Sequence, residues 1–454
     1  MAIAAVRTGI IARFTVRTQS AVRREAARDI SRTIHARMPS AFDRMLQAYA
    51  DLTVRVGLNL QPSQRLLIIG PIANGGASLD AAPLVRAVAD SAYRAGARLV
   101  ETLWGDEALL AARLAHAPRD SFTEFSAWLP DALVQHAAAG HAVLSIYAND
   151  PDQLKDAPQD LVGAVQQTTA NHVRPFRDYI ARNHTNWAVV AAAAPSWAAR
   201  VFPDVEPARQ VERLWEAIAR LCRLDCPDPI AAWETHLSGL AARTDYLNAK
   251  QYSALRYSGP GTDLKIGLPP GHVWVGGRSA NAAGIRFAPN LPTEEVFTMP
   301  HRDRVDGIVR STKPLSYGGT LIENFTLRFE GGRAVDVRAE KNESVLRRLV
   351  EMDAGAARLG EIALVPHSSP VAQTGVLFYN TLFDENAASH VALGAAYKFT
   401  FRGGEAMTEE AFEAIGGNRS AAHVDFMIGS AELDVDGVLP DGAPEPVMRR
   451  GEWI

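Results

Sequence analysis

The sequence predicts an α/β N-terminal domain with a mostly parallel sheet, followed by an α+β domain, and three observations carry that reading. Short apolar runs alternate with helical periodicity from about residue 40 to 250, strands dominate from about 252 onward, and the composition shifts near 250. In the first part, residues 66–69, 98–103, 142–147 and 187–190 read as buried strands, and amphipathic helices are expected near 78–96, 121–139 and 160–182. Strand–helix alternation implies parallel pairing with both faces covered. Two further helical stretches, near 206–223 and 228–249, lead out of this part. In the second, residues 263–268, the Pro269-Pro270-Gly271 turn and residues 272–275 read as strand, turn and strand. Residues 325–329 and 333–338 alternate apolar and polar on either side of Glu330-Gly331-Gly332, which predicts a hairpin with one buried face. The expected divisions are an extension at 1–37, the α/β domain at 38–250 and the α+β domain at 251–454.

Composition narrows the function classes. The 454 residues include 47 basic and 51 acidic side chains, and 47% are hydrophobic, so disorder and collagen-like structure are excluded. A net charge of −4 supplies no basic field for nucleic acid or an anionic membrane. The longest apolar candidate for a membrane span runs from Trp187 to Ala194 and stops at Pro195, far short of the roughly 20 residues required, so a soluble protein is expected. The two cysteines, Cys222 and Cys226, match neither a redox pair nor a four-ligand zinc site and read as free thiols. Residues 1–37 hold eight arginines, no lysine and two acids, which leaves the body at −10. That segment reads as a frayed extension of a cytoplasmic protein, with an organelle transit peptide as the alternative.

Chemistry concentrates in the second part. The loop Gly70-Pro71-Ile72-Ala73-Asn74-Gly75-Gly76 follows a strand but lacks either phosphate-binding glycine pattern. His116, His136, His141, His172 and His184 lack acids at ligand spacing and read as solvated or capping residues. By contrast, His423-Val424-Asp425-Phe426-Met427-Ile428 reads as a strand, which aims His423 and Asp425 to one face beside apolar neighbours. A buried carboxylate wants a metal, a counter-ion or water. The stretch 386–397 looks helical, and His390 and Tyr397, two turns apart, would share a face; a Lewis-acid site and a core tyrosine under a capping histidine both fit. Glu295 and Glu361 flank apolar runs, and in an extended segment Glu294 and Glu295 point oppositely, so only one of them faces a site. Two glutamates, two histidines and an aspartate suit a pair of divalent ions better than a structural zinc.

Five stretches in order are Asn290-Leu291-Pro292-Thr293-Glu294-Glu295-Val296-Phe297, Lys313-Pro314-Leu315-Ser316-Tyr317-Gly318-Gly319, Gly360-Glu361-Ile362-Ala363-Leu364-Val365-Pro366, Phe383-Asp384-Glu385-Asn386-Ala387-Ala388-Ser389-His390 and His423-Val424-Asp425-Phe426-Met427-Ile428-Gly429. Together they closely resemble the thermophilic-type metalloaminopeptidases, the group of aminopeptidases T and S and PepS. The resemblance runs from about residue 40 to the C-terminus and is strongest from 252. It implies a homodimeric exopeptidase with a dinuclear Zn2+, Co2+ or Mn2+ site at Glu295, Glu361, His390, His423 and Asp425. It also implies a catalytic tyrosine at Tyr397, Glu361 as bridging ligand or general base, and a free substrate α-amine as a neutral ligand. The implied substrates are peptides with hydrophobic N-terminal residues such as leucine, with no nucleic-acid or membrane partner. Two rivals use the same residues: a non-haem Fe(II) ring-cleaving dioxygenase built on His390, His423 and Asp425, and a catalytically silent peptide- or metal-binding protein. Glu295 and Glu361 argue against the first and Tyr397 against the second.

Overall fold

The early apolar runs pair as parallel strands. Arg65–Ile69, Leu99–Thr102, Ala142–Tyr147 and Trp187–Ala191 form a four-stranded sheet in which Arg65–Ile69 lies between Leu99–Thr102 and Ala142–Tyr147. The helices Ala82–Arg94 and Trp128–Ala138 fall within the periods the sequence marks, and Gln159–Ala181 is displaced by one residue from its expected span. Leu133 and Ala137 from one helix and Val173 and Phe176 from another close over Ile69 and Val143 of the sheet. Each large side chain so buried contributes about 1.5–3 kcal/mol of transfer free energy. The computed structural model describes residues 40–317 and 320–454. The expected extension at 1–37, with its transit-peptide alternative, lies outside the described residues. Ser40 and Asp43 close a capping box on the helix Ala41–Leu52, each accepting from the other's backbone N–H at 2.9 and 3.0 Å.

Residues 47–454 form one compact unit. Pro207–Leu221 and Pro229–Lys250 each carry proline in the first turn, where its missing N–H costs nothing. Between these helices Arg223 adopts a left-handed φ of +56°. Cys222 and Cys226 are both free. Beyond residue 250 the strands are antiparallel. The hairpin Thr320–Glu330 with Arg333–Lys341 turns at Gly331 and Gly332, both at positive φ, as the Gly-Gly pair demands. Residues 272–275, expected as a strand, instead make two isolated bridges, His272 to Phe401 and Val275 to Phe297. Hydrogen bonds tie this part to the parallel sheet: Val189 N–H donates to Pro289 O at 2.7 Å, and Leu291 N–H to Val189 O at 3.1 Å. Among the described residues no helix is long and apolar enough to cross a membrane.

The helical reading of 386–397 is corrected. His390–Gly394 is a strand, held between Leu359–Leu364 and His423–Met427. All five of its residues are buried, and a fully buried run has no polar phase to reveal its period. Gly394 also sits at φ +108°, where a Cβ would lie 2.1 Å from Ala422 O. Pairing on both sides outweighs the helical propensity of the alanines.

Candidate metal centre

A second antiparallel sheet of four short strands builds the site. Its order is Val296–Thr298, Leu359–Leu364, His390–Gly394, His423–Met427. Register decides which side chains meet, because residues directly opposite in antiparallel strands share a face. Glu361 lies opposite Ala392, and Ala392 opposite Asp425, so two carboxylates flank a single methyl group. His390 lies two residues from Ala392 and His423 two from Asp425, which puts both imidazoles on that face. A bulge at Gly360 aligns Glu361; a Cβ there would lie 2.2 Å from the Gly394 and Ala395 carbonyls.

Five of the six singled-out residues converge, with the sixth, Tyr397, at their edge. Glu295, Glu361 and His390 form one set of mutually close donors, and Glu361, His423 and Asp425 form another. His390 Nε2 is 3.2 Å from Glu295 Oε2 and 3.6 Å from Glu361 Oε1. His423 Nε2 is 3.7 Å from Glu361 Oε2 and 3.5 Å from Asp425 Oδ1. Glu361 therefore turns one oxygen to each imidazole. Glu294 points away, to Arg223, as its alternation with Glu295 requires. The two histidines do not share a helix with Tyr397. That ring lies beyond the strand, 39% exposed, 4.7 Å from the His423 ring and stacked at 5.2 Å on Phe399.

Tautomers and unpartnered oxygens show what the cluster can hold. His390 Nδ1 bonds Ala388 O at 3.1 Å and His423 Nδ1 bonds Ala395 O at 2.8 Å, so both N–H groups point outward and both Nε2 lone pairs point in. They face carboxylate oxygens, and Glu295 Oε2 and Asp425 Oδ1 are buried without a hydrogen-bond donor. Lone pair against lone pair at these distances is repulsive unless a cation intervenes. Protons would substitute for that cation. Burial disfavours charge on either imidazole, yet Glu295 and Glu361 hold His390 well above the usual imidazole range, and Asp425 with Glu361 holds His423 at about 9. Burial pushes Glu361 up to about 7. Burial would raise Asp425 also, but its contact with His423 reverses the shift and lowers it. Bare inward nitrogens, orphaned buried oxygens and a surplus of negative charge fit divalent cations, with ligands of the hard O/N type.

Sequence reasoning passed over Glu385. Its carboxyl is raised well above the carboxylate range, by burial first and then by Glu295 and Asp425. Its place five residues before His390, inside a motif already marked, was the available signal. Among the described residues, no such donor group includes the histidines of the first part; His136, for example, bonds the Ala142 carbonyl at 2.9 Å.

Comparisons with known proteins identify the family. The family model for thermophilic metalloproteases (M29) matches residues 42–453. The chain is 48% identical to Aminopeptidase T of Thermus thermophilus over 91% of this chain and 99% of that one. It is 46% identical to Aminopeptidase 2 of Geobacillus stearothermophilus over 91% of this chain and 98% of that one. The solved structure of wild-type AmpT from Thermus thermophilus matches with a TM-score of 0.85 at 47% identity, covering 91% of this chain and 100% of that chain. The chain belongs to the M29 family of thermophilic metalloproteases and is an aminopeptidase of that family.

Proposed function

We propose that the protein releases hydrophobic N-terminal residues such as leucine from peptides at a two-ion centre, with Glu295, Glu361, His390, His423 and Asp425 as ligands and Tyr397 as a catalytic residue. The observation that carries this reading is Glu361 with one oxygen turned to each of two donor sets. Zn2+, Co2+ or Mn2+ would suit these donors, and a pair of such ions supplies a nucleophilic water near neutral pH and polarises the scissile carbonyl. A single-iron oxygenase would leave the bare oxygen of Glu295 unexplained. Glu361 bridges the two donor sets or takes a proton from the attacking water. The homodimer implied by the motifs belongs to the same proposal and is read by light scattering.

Tyr397 supplies a neutral donor. Burial of its hydroxyl, with Glu361 and Asp425 nearby, raises its pKa, so the phenol keeps its proton at neutral pH. Packed on His423 and Phe399, it is held to donate to the oxyanion that forms when the carbonyl is attacked. Tyr397→Phe is expected to lower kcat about 10²–10³-fold, about 2.7–4 kcal/mol, with fold and ion content retained. A twofold loss would return Tyr397 to a packing role.

The hydrophobic preference has physical support beside the ligands. Phe297 is two residues from Glu295 and opposite Ala363, which places it on the ligand face of the sheet. Val275 pairs with it on the outer side, and Phe399 stands edge-on to it at 6.1 Å. These half-buried groups form an apolar wall within reach of a residue whose amine lies at the cluster. Phe297→Ala or Phe399→Ala should reduce the preference for leucyl over glycyl substrates in kcat/KM by roughly tenfold, the scale of small apolar discrimination. An unchanged ratio would remove the wall from specificity.

A further inference from the structure

Glu295 has no hydrogen-bonding support of its own at Oε2, which is buried and accepts nothing. Its position is inherited from the backbone on either side. Directly before it, Glu294 is 4% exposed and points the opposite way, toward the two helices that lead out of the parallel sheet. There Arg223 Nη2 donates to Glu294 Oε2 at 3.0 Å and lies 2.7 Å from Oε1. The same nitrogen reaches His236 Nδ1 at 3.2 Å. His236 Nε2 bonds Thr293 O at 2.7 Å, which fixes the Nε2–H tautomer and leaves Nδ1 as the acceptor. A closed ring thus runs from Glu294 through Arg223 and His236 back to Thr293. Arg223 is itself held by its left-handed backbone after Pro207–Leu221 and by the Trp233 ring 5.2 Å away. From the other side, Glu294 N–H donates to Asn386 Oδ1 at 2.6 Å, and Asn386 Nδ2 donates to Leu382 O at 2.9 Å.

We infer that Arg223, Glu294 and His236 form a clamp that positions Glu295, and thereby set the ion affinity on the Glu295–Glu361–His390 side of the centre. This rests on the two-ion reading above. Adjacent residues of an extended segment project oppositely, so fixing the Glu294 side chain fixes the direction of the Glu295 carboxylate. The clamp groups are positioning residues. They do not belong to either donor set, and two of them are remote in sequence from every ligand: His236 in the helix Pro229–Lys250 and Arg223 in the connection between the two helices. Because the Asp425 side shares only Glu361 with the other, the effect is one-sided.

The test is a Co2+ titration of the full chain against a competing chelator, followed by visible absorption, for wild type, Glu294→Gln and Arg223→Lys. Lysine keeps the charge but is shorter and lacks the planar guanidinium that lies over the Trp233 ring, so it cannot hold Glu294 and His236 in the same geometry, and it carries the test should the glutamine variant not fold. One of two dissociation constants should rise about 10–100-fold, as on loss of groups that orient a ligand, while the other is unchanged. The double variant should be no weaker than the worse single one, since both break the same ring. Two unchanged constants, even with a lower Tm, would make the ring merely structural and overturn the inference. Equal weakening of both constants would overturn it as well. A wild type that binds one ion per chain would refute the two-ion reading instead, and the clamp would then stand or fall on that single constant.

Discussion

Glu361→Gln should be the most damaging single substitution at the centre, lowering hydrolysis of leucine p-nitroanilide by at least about 10²–10⁴-fold, the range for losing a proton-transfer group alone. The reason is topological. Glu361 is the one residue present in both donor sets, one oxygen to each, whereas Glu295 and Asp425 belong to one set apiece. Its amide would present a neutral oxygen and an N–H donor where two anionic oxygens now stand. Elemental analysis should therefore find both ions depleted in Glu361→Gln and mainly one in Asp425→Asn. Dialysis of the wild type against EDTA should abolish activity, and Zn2+, Co2+ or Mn2+ should restore it, because the nucleophile depends on the ions. Full activity after confirmed ion removal would sink the two-ion reading. Near two ions per chain in Glu361→Gln would move Glu361 out of the ligand set.

Acetylating the substrate's α-amine should nearly eliminate turnover. The cluster sets three carboxylates beside two inward-facing imidazole nitrogens, and a free amine brings either a lone pair for an ion or a positive charge for a carboxylate. An amide nitrogen offers neither, since its lone pair is delocalised. Comparing leucine p-nitroanilide with its N-acetyl derivative isolates this requirement from the apolar wall at Phe297 and Phe399, which both substrates meet equally. Efficient cleavage of the acetylated compound would point to an endopeptidase or amidase and would leave the ligand set intact.

Much of the architecture was legible because its patterns are local. The four parallel strands announce themselves as apolar runs between amphipathic helices, and the Gly331-Gly332 hairpin by alternation around a turn that needs positive φ. The opposed directions of Glu294 and Glu295 follow from period two alone. What failed was 386–397, where burial on every side removed the periodic signal and alanine-rich composition suggested a helix. The consequence reached the site, since Tyr397 meets His423 across strands and not along a helix from His390. Glu385 went unmarked because its closeness to the cluster depends on how the strands assemble, which no spacing in the chain encodes.

The donors stand on three strands of the sheet and, at Glu295, on the residue that enters the fourth, and they meet around the methyl group of Ala392. An ion seated there would act as a rivet through a sheet whose strands are only three to six residues long. Cohesion of this region then scales with the logarithm of free ion activity, about 2.7 kcal/mol at a hundredfold excess over the dissociation constant. Heat tolerance would then be a property shared with the surroundings: the same polypeptide would be a sturdier object in an ion-replete medium than in a starved one.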